Sequence, residues 1–155
     1  MKQTKATTRN SFDLGSGLFK TLNIDASYAN YQHREEEPDG TVDTTFRNKE
    51  WDGRAELLAG PLGPLQNSAV GVEVQRRRFS AVGDDSSYLF PTLTQSEAAY
   101  LFTTLPLSSN FNLEASGRIE HVHVNGTPAS NTATSANFTP ASAAIGALYT
   151  VSPAL

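Results

Sequence analysis

The sequence predicts an all-β chain, an antiparallel meander of about seven long strands, and three observations carry that reading. Turn-forming residues punctuate it at Gly15 to Gly17, Pro38-Asp39-Gly40, Gly60-Pro61 to Pro64, Gly83 to Pro91, Pro106 to Asn110, Asn125-Gly126 to Pro128 and Pro153. Successive breakers enclose about 14 to 24 residues. Between them apolar side chains recur at every second position, the period of a strand with two unlike faces. The 155-residue chain also has no cysteine and no apolar run near the roughly 18 residues of a membrane helix, so neither a disulfide scaffold nor a helical span explains it.

The expected strands lie near residues 4–14, 20–35, 41–59, 68–82, 95–105, 110–124 and 138–151. The first closes at the Gly15 breaker. The second alternates Leu22, Ile24, Ala26 and Tyr28 against Asn23, Asp25 and Ser27. The third runs between two Pro/Gly breakers and contains Asp52-Gly53, a hairpin turn in isolation, which inside an alternating segment reads as a kink or bulge. In the fourth, Val70, Val72 and Val74 oppose Gly71, Glu73 and Gln75. The fifth, in SEAAYLFTTL, and the seventh, in ASAAIGALY, hold enough Ala and Leu to tolerate short helices, but the surrounding pattern favours strands. The sixth sets Phe111, Leu113, Ala115, Gly117 and Ile119 against Asn112, Glu114, Ser116, Arg118 and Glu120.

Such strands exceed the roughly 5–6 residues usual in soluble sandwiches. Their connections also alternate, short near 15–19, 60–67 and 106–109, longer or more polar near 36–40, 83–94 and 125–137. An outer-membrane β-barrel combines these features, because a strand needs about 9–11 residues to cross and the two ends carry unequal turns and loops. One face of each strand is apolar and the other carries Asn, Asp, Ser, Glu and Arg, as a lipid-facing wall around a wet lumen requires. Seven antiparallel strands cannot close such a barrel, since the first and last would run in the same direction. Residues 1–155 are therefore expected to be one incomplete domain, an open section of a transmembrane barrel, with the terminal SPAL stopping at a turn signal. A formal charge of -4 argues against a nucleic-acid partner, and the first twenty residues hold no apolar signal-peptide core.

The wording of the strands adds a resemblance. In TTFRNKEWDGRAELLAGPLGPLQNSAVGVEVQRRRFSAVGDD an Asn-bearing strand leads through G-R-x-E-L to a Pro-Leu-Gly turn, returns through V-G-V-x and ends in F-S-A-x-G. EAAYLF, NLEASGRIEHVHV and NFTPASAAIGALYTVS follow. In this order, across residues 10–152, these segments resemble the barrel of TonB-dependent outer-membrane receptors. The resemblance implies a barrel of about 22 strands occluded by an N-terminal plug. It implies import of a scarce nutrient, such as a metal chelate or siderophore, with energy relayed by the TonB protein. It places the chain in the outer membrane of a Gram-negative bacterium. The partners implied are its own plug domain, the remaining barrel strands, TonB, and outer-membrane lipid and lipopolysaccharide; no cofactor is implied. The chain departs from the pattern in lacking a plug, a TonB-contacting box and a terminal aromatic residue, so a part of the barrel is expected, and import belongs to the whole receptor.

Charged residues fall on the polar parity: Arg54 and Glu56 of the third strand, Glu73 and Arg77 of the fourth, Arg118 and Glu120 of the sixth. They are expected to face the lumen, either meeting the plug or a substrate path or simply wetting the wall and pinning register. His121 and His123 share one strand face and can chelate a divalent metal with a third ligand, and His33 sits near another extracellular strand end. Their shared parity with Phe111, Leu113 and Ile119 reads first as a solvated pair at the rim, so the metal assignment stays open. Arg76, Arg77 and Arg78 form a basic run at the outer rim, suited to anionic lipopolysaccharide or to plain solvation. Tyr28, Trp51, Tyr100, Phe102 and Tyr149 fall on the apolar parity, as an interfacial girdle or a soluble core would have them. Glu35 to Glu37 beside Pro38 read as an acidic loop tip.

Enzyme motifs are missing: no Gly-rich phosphate loop, no H-E-x-x-H and no G-x-S-x-G, so no catalysis is expected. The rival from another class is a self-contained soluble β-barrel binding module for a small apolar ligand, which needs the apolar parity inward. A third reading, an adhesin-like sheet, rests on the Ser-, Thr- and Ala-rich stretch 127–144, expected instead to be one extracellular loop.

Overall fold

Two-residue alternation sustained this long produces a single layer of paired strands. A computed structural model of the chain describes residues 1–83, 89–127 and 132–151. The strands are β1 (Lys2–Asp13), β2 (Phe19–Glu36), β3 (Val42–Ala59), β4 (Asn67–Gly83), β5 (Leu89–Ser108), β6 (Phe111–Gly126), β7 (Thr134–Phe138) and β8 (Ala141–Tyr149). From β1 to β6 each pairs antiparallel with the next in chain order. No helix occurs among the described residues: SEAAYLFTTL lies inside β5 and ASAAIGALY is β8.

The strand count needs a small correction. β7 and β8 both pair with β6, Phe138 facing Val122 and Ala141 facing Ile119, three residues apart on either side. The register is thus unbroken, and the two occupy one position across the sheet. The interruption is Thr139-Pro140, where proline has no N–H for the ladder. Its carbonyl still accepts a hydrogen bond from the Glu120 N–H at 3.0 Å. Of the stretch 127–144 expected as one loop, residues 134–138 and 141–144 are therefore strand.

Asp52-Gly53 is neither kink nor bulge. Gly53 pairs with Ala26 on one side and Val74 on the other in continuous register, because ladders on both flanks hold it extended against its turn propensity. The register shifts fall toward strand ends, at Phe19/Thr21, Glu35/Glu36, Phe79/Ala81 and Pro106/Ser108. The expected contrast in connection length is also absent. Segments 14–18, 60–66 and 109–110 join strands at one end, and 37–41, 84–88 and 127–133 at the other. Pairing carries the strands past the turn signals, β5 reaching 20 residues, so segments that read as loop are absorbed into the ladder. The turn at 37–41 is tied by Asp39, whose carboxylate accepts from the Thr41 N–H at 2.9 Å and hydroxyl at 2.7 Å, while Gly40 takes a φ of 87° that a side chain would resist. The turn expected at SPAL falls on 152–155, outside the described residues.

The registers sort the side chains onto two faces. A hollow of about 440 Å³ on the polar face is lined from all of β1 to β6, including Arg9, Asp25, Asp52, Glu73, Ser96 and Arg118. Six adjacent strands reach one hollow only if the sheet curves around that face. The apolar face is therefore the outside of the curve, and it is uncovered: Val72, Leu101 and Ile119 are each about half exposed, and Ile145 is 79% exposed. Ala81 and Ala98 are the only buried apolar residues among those described. This is the reverse of the inward apolar parity that a soluble binding barrel needs. With β1 and the β7/β8 position as open edges, the sheet has no core of its own.

Candidate functional site

On the concave face two register rows bring the charged residues together. One row runs Asp25, Arg54, Glu73, Ala98, Glu120 across β2 to β6; the next runs Asn23, Glu56, Gly71, Tyr100, Arg118. Arg54 forms a close ion pair with Glu56, lies 3.9 Å from Glu73 and donates from Nε to the Tyr100 hydroxyl at 2.7 Å. Tyr100 in turn donates to Glu56 at 2.8 Å. Arg118 pairs closely with Glu73 and reaches Glu120 at 3.3 Å. Farther along the same face, Arg77 Nε donates to Asn48 Oδ1 at 3.0 Å and sits 3.8 Å from Glu50. All six sequence-derived charged candidates thus share one face, and five of them form one network, in which Glu73 joins the two arginines and Tyr100 bonds Arg54 and Glu56. Each charge in it is met by an opposite one, so the wall offers fixed donors and acceptors suited to binding and positioning.

Tyr100 and Phe102 correct the expected aromatic placement. Both lie on the polar face: Tyr100 pairs across to Gly71 and Arg118, Phe102 to Ala69 and Ser116. Residues Ala98 to Phe102 are apolar without alternation, so nothing local to them sets parity and the pairing of β5 decides it. The tyrosine ring lies over Gly71, where an added Cβ would meet its atoms at 2.2 Å. A glycine on the polar parity of an otherwise Val-rich strand was the one signal in the sequence that a long side chain crosses there. Tyr28, Trp51 and Tyr149 do lie on the apolar face, by their registers.

The histidines separate. His33 is on the concave face, its ring stacked on Phe46 with centroids 4.4 Å apart and Nε2 3.8 Å from Glu35. His121 and His123 are on the convex face of β6, beside Thr139 at 3.5 Å and Asn137 at 2.7 Å. Among the described residues no three His, Asp or Glu side chains converge on a point that would hold a metal ion.

The arginine run also splits by parity. Arg77 points inward, whereas Arg76 and Arg78 emerge on the convex face with Lys49 and Trp51, around a depression of about 210 Å³. On that face the chemistry changes along a boundary that steps by a register row from strand to strand across five strands. Below it lie Leu22 to Tyr28, Trp51 to Ala59, Val70 to Val74, Ala99 and Leu101, and Phe111 to Ile119; above it lie Asn30, Lys49, Arg76, Glu97 and His121. Tyr28 and Trp51 face each other directly at the boundary. The stretches 51–59 and 111–119 match the 9–11 residues a strand needs to cross a bilayer.

A curved antiparallel sheet, polar within and banded apolar without, is the wall of a membrane-type β-barrel. The family model for TonB dependent receptor-like β-barrels matches residues 2–155, and the chain belongs to that family. Among solved structures it is similar to the copper transporter OprC, with a TM-score of 0.71 at 10% identity, over 97% of this chain and 28% of that one. A search of curated protein sequences finds no match. The chain therefore spans less than a third of the length of its structural neighbour.

Proposed function

We propose that this chain is part of the barrel wall of a ligand-gated, TonB-energised receptor in the outer membrane of a Gram-negative bacterium, importing a scarce nutrient of the metal or metal-chelate class. The carrying observation is the inside-out polarity of a sheet that belongs to this receptor family: the apolar band has no protein partner, while the concave face holds a balanced charge network. In this reading Arg54, Glu56, Glu73, Arg77, Arg118 and Glu120 face the lumen, where the plug and passing substrate meet the wall. The copper cargo of the similar transporter supports a metal substrate by likeness of fold alone. The lining network has the chemistry of positioning, in keeping with a transporter.

The test is uptake. A strain deleted for the gene should lose accumulation of at least one ligand from a panel of ferric chelates and copper salts under limitation. Restoring the gene should restore uptake, and collapsing the proton gradient should abolish it. Unchanged uptake of every metal form, or uptake indifferent to the gradient, would sink the proposal.

A further inference from the structure

We infer that the convex face of β6 carries a chelate site for a divalent transition-metal ion, Cu(II) above all, formed by the Nε2 atoms of His121 and His123 with water completing the coordination. The site stands on side-chain placement; only its exposure to the external medium rests on the outer-membrane reading above. The two histidines are alternate residues of one strand, so their side chains leave the same face about 6.7 Å apart, a gap that two imidazole rings close by leaning together. His121 is exposed and lies just beyond Ile119, the last residue of the apolar band on β6, where water reaches it.

Each ring is already held at its other nitrogen. His123 Nδ1 lies 2.7 Å from Oδ1 of Asn137, its cross-strand partner on β7. His121 Nδ1 lies 3.5 Å from the hydroxyl oxygen of Thr139, the next residue of that segment on the same face. An amide oxygen only accepts, so His123 donates from Nδ1 and keeps its lone pair on Nε2, and the Thr139 hydroxyl can accept from His121 in the same way. Such a bond at one ring nitrogen fixes the tautomer and the orientation that a metal ligand needs at the other. Among the described residues neither Nε2 makes a hydrogen bond or an ion pair. His33 is the contrast: its Nδ1 is buried, its ring is stacked on Phe46 and its Nε2 faces Glu35.

The surroundings select the ion. Glu97 stands directly opposite His121 on β5 and lines the same hollow as His121 and Thr139. It has no cationic partner among the described residues, so it sets a negative charge and oxygen donors beside the two nitrogens. Zinc sites use three or four converging protein ligands, and the described side chains bring no such set together. Two imidazole nitrogens in an open site otherwise filled by oxygen match the tetragonal preference of Cu(II), which also binds nitrogen ligands more tightly than the other divalent ions of its row.

The untagged receptor containing this chain is extracted from the outer membrane in mild detergent, titrated with Cu(II) and followed by electron paramagnetic resonance. Subtracting the spectrum of His121→Gln/His123→Gln from that of the parent should leave one Cu(II) per chain with two equatorial nitrogens. Asn137→Ala should weaken binding at this site roughly tenfold, the low end of the effect of such supporting bonds, and His33→Gln should leave it unchanged. In the parent protein, with no substitution to disturb folding, Cu(II) should protect His121 and His123 together, and not His33, from carbethoxylation read by peptide mass spectrometry. Identical spectra for parent and double variant, a difference signal with a single nitrogen, or modification of the two histidines indifferent to Cu(II) would overturn the site. A receptor that imports a metal chelate without this signal defeats the inference alone; one that gives the signal and imports no metal form upholds the site and defeats the transport reading.

Discussion

Arg76 and Arg77 are neighbours in the chain and opposites in the structure. Arg77 lies on the concave face, bonded to Asn48 and near Glu50. Arg76 lies on the convex face between Trp51 and Lys49, without an acid partner among the described residues. The difference extends to the faces themselves. The concave face balances each network charge with an opposite one, within a strand or across the sheet, whereas the convex face keeps its apolar band free of charge and gathers cations without acid partners among the described residues just beyond it. Charge balance here belongs to a face assembled from several strands, and a basic run in one strand is divided between two environments by the pleat.

Four experiments break or sharpen that contrast. The largest effect is expected for Val72→Arg, which sets a charge in the apolar band and should cost about 2–4 kcal/mol of folding into lipid, read from urea titrations in vesicles. Ser96→Arg, on the concave face, should cost less than about 1 kcal/mol. Equal penalties would show the faces to be assigned wrongly.

Next come the two glycines of adjacent strands. Gly71→Ala displaces the Tyr100 ring and with it the bonds to Arg54 and Glu56, for an expected loss of about 1–2 kcal/mol. Gly53→Ala adds a methyl on the convex face at an ordinary 3.4 Å from Val74 and should be neutral or stabilising by up to about 1 kcal/mol. A smaller loss, about 1 kcal/mol or less given partial exposure, is expected for Glu73→Gln, which loosens Arg118 and Arg54 together. A double-mutant cycle with Arg118→Gln should recover a coupling that 1 M salt reduces; full additivity would mean that the pair is ornamental.

The smallest effect is at the rim. Hydrogen bonding from the Thr41 N–H, and then from its hydroxyl, holds the Asp39 carboxyl below its ordinary range. The stabilisation this carboxylate gives the turn is complete above its unfolded-state pKa and is lost as pH falls through the lowered folded value. Protection of the Thr41 amide, taken as its exchange rate relative to the free-peptide rate at each pH, should fall over that acid window in the parent and lose the dependence in Asp39→Ala. An unchanged pH profile in the variant would remove Asp39 from the turn.

The strands were readable wherever polar and apolar residues alternate strictly, as in Leu22 to Tyr28, Val70 to Gln75 and Phe111 to Glu120. There the parity also placed Arg54, Glu56, Glu73, Arg77, Arg118 and Glu120 on one face, because a period of two leaves each side chain a single choice. It failed at Tyr100 and Phe102, where five consecutive apolar residues carry no parity. Asp52-Gly53 misled for a different reason: a dipeptide's turn propensity is worth less than ladders on both sides.

What the sequence determined by itself is the local period, and with it strand identity, the two faces and the number of strand positions. Neighbours one and two residues away dictate these through backbone geometry. Tertiary structure alone decided which face is concave, that Tyr100 bridges Arg54 and Glu56 over Gly71, that His33 stands apart from His121 and His123, and that Lys49 joins Arg76 and Arg78. Each of these depends on register between strands distant in the chain, and register is set by the whole ladder.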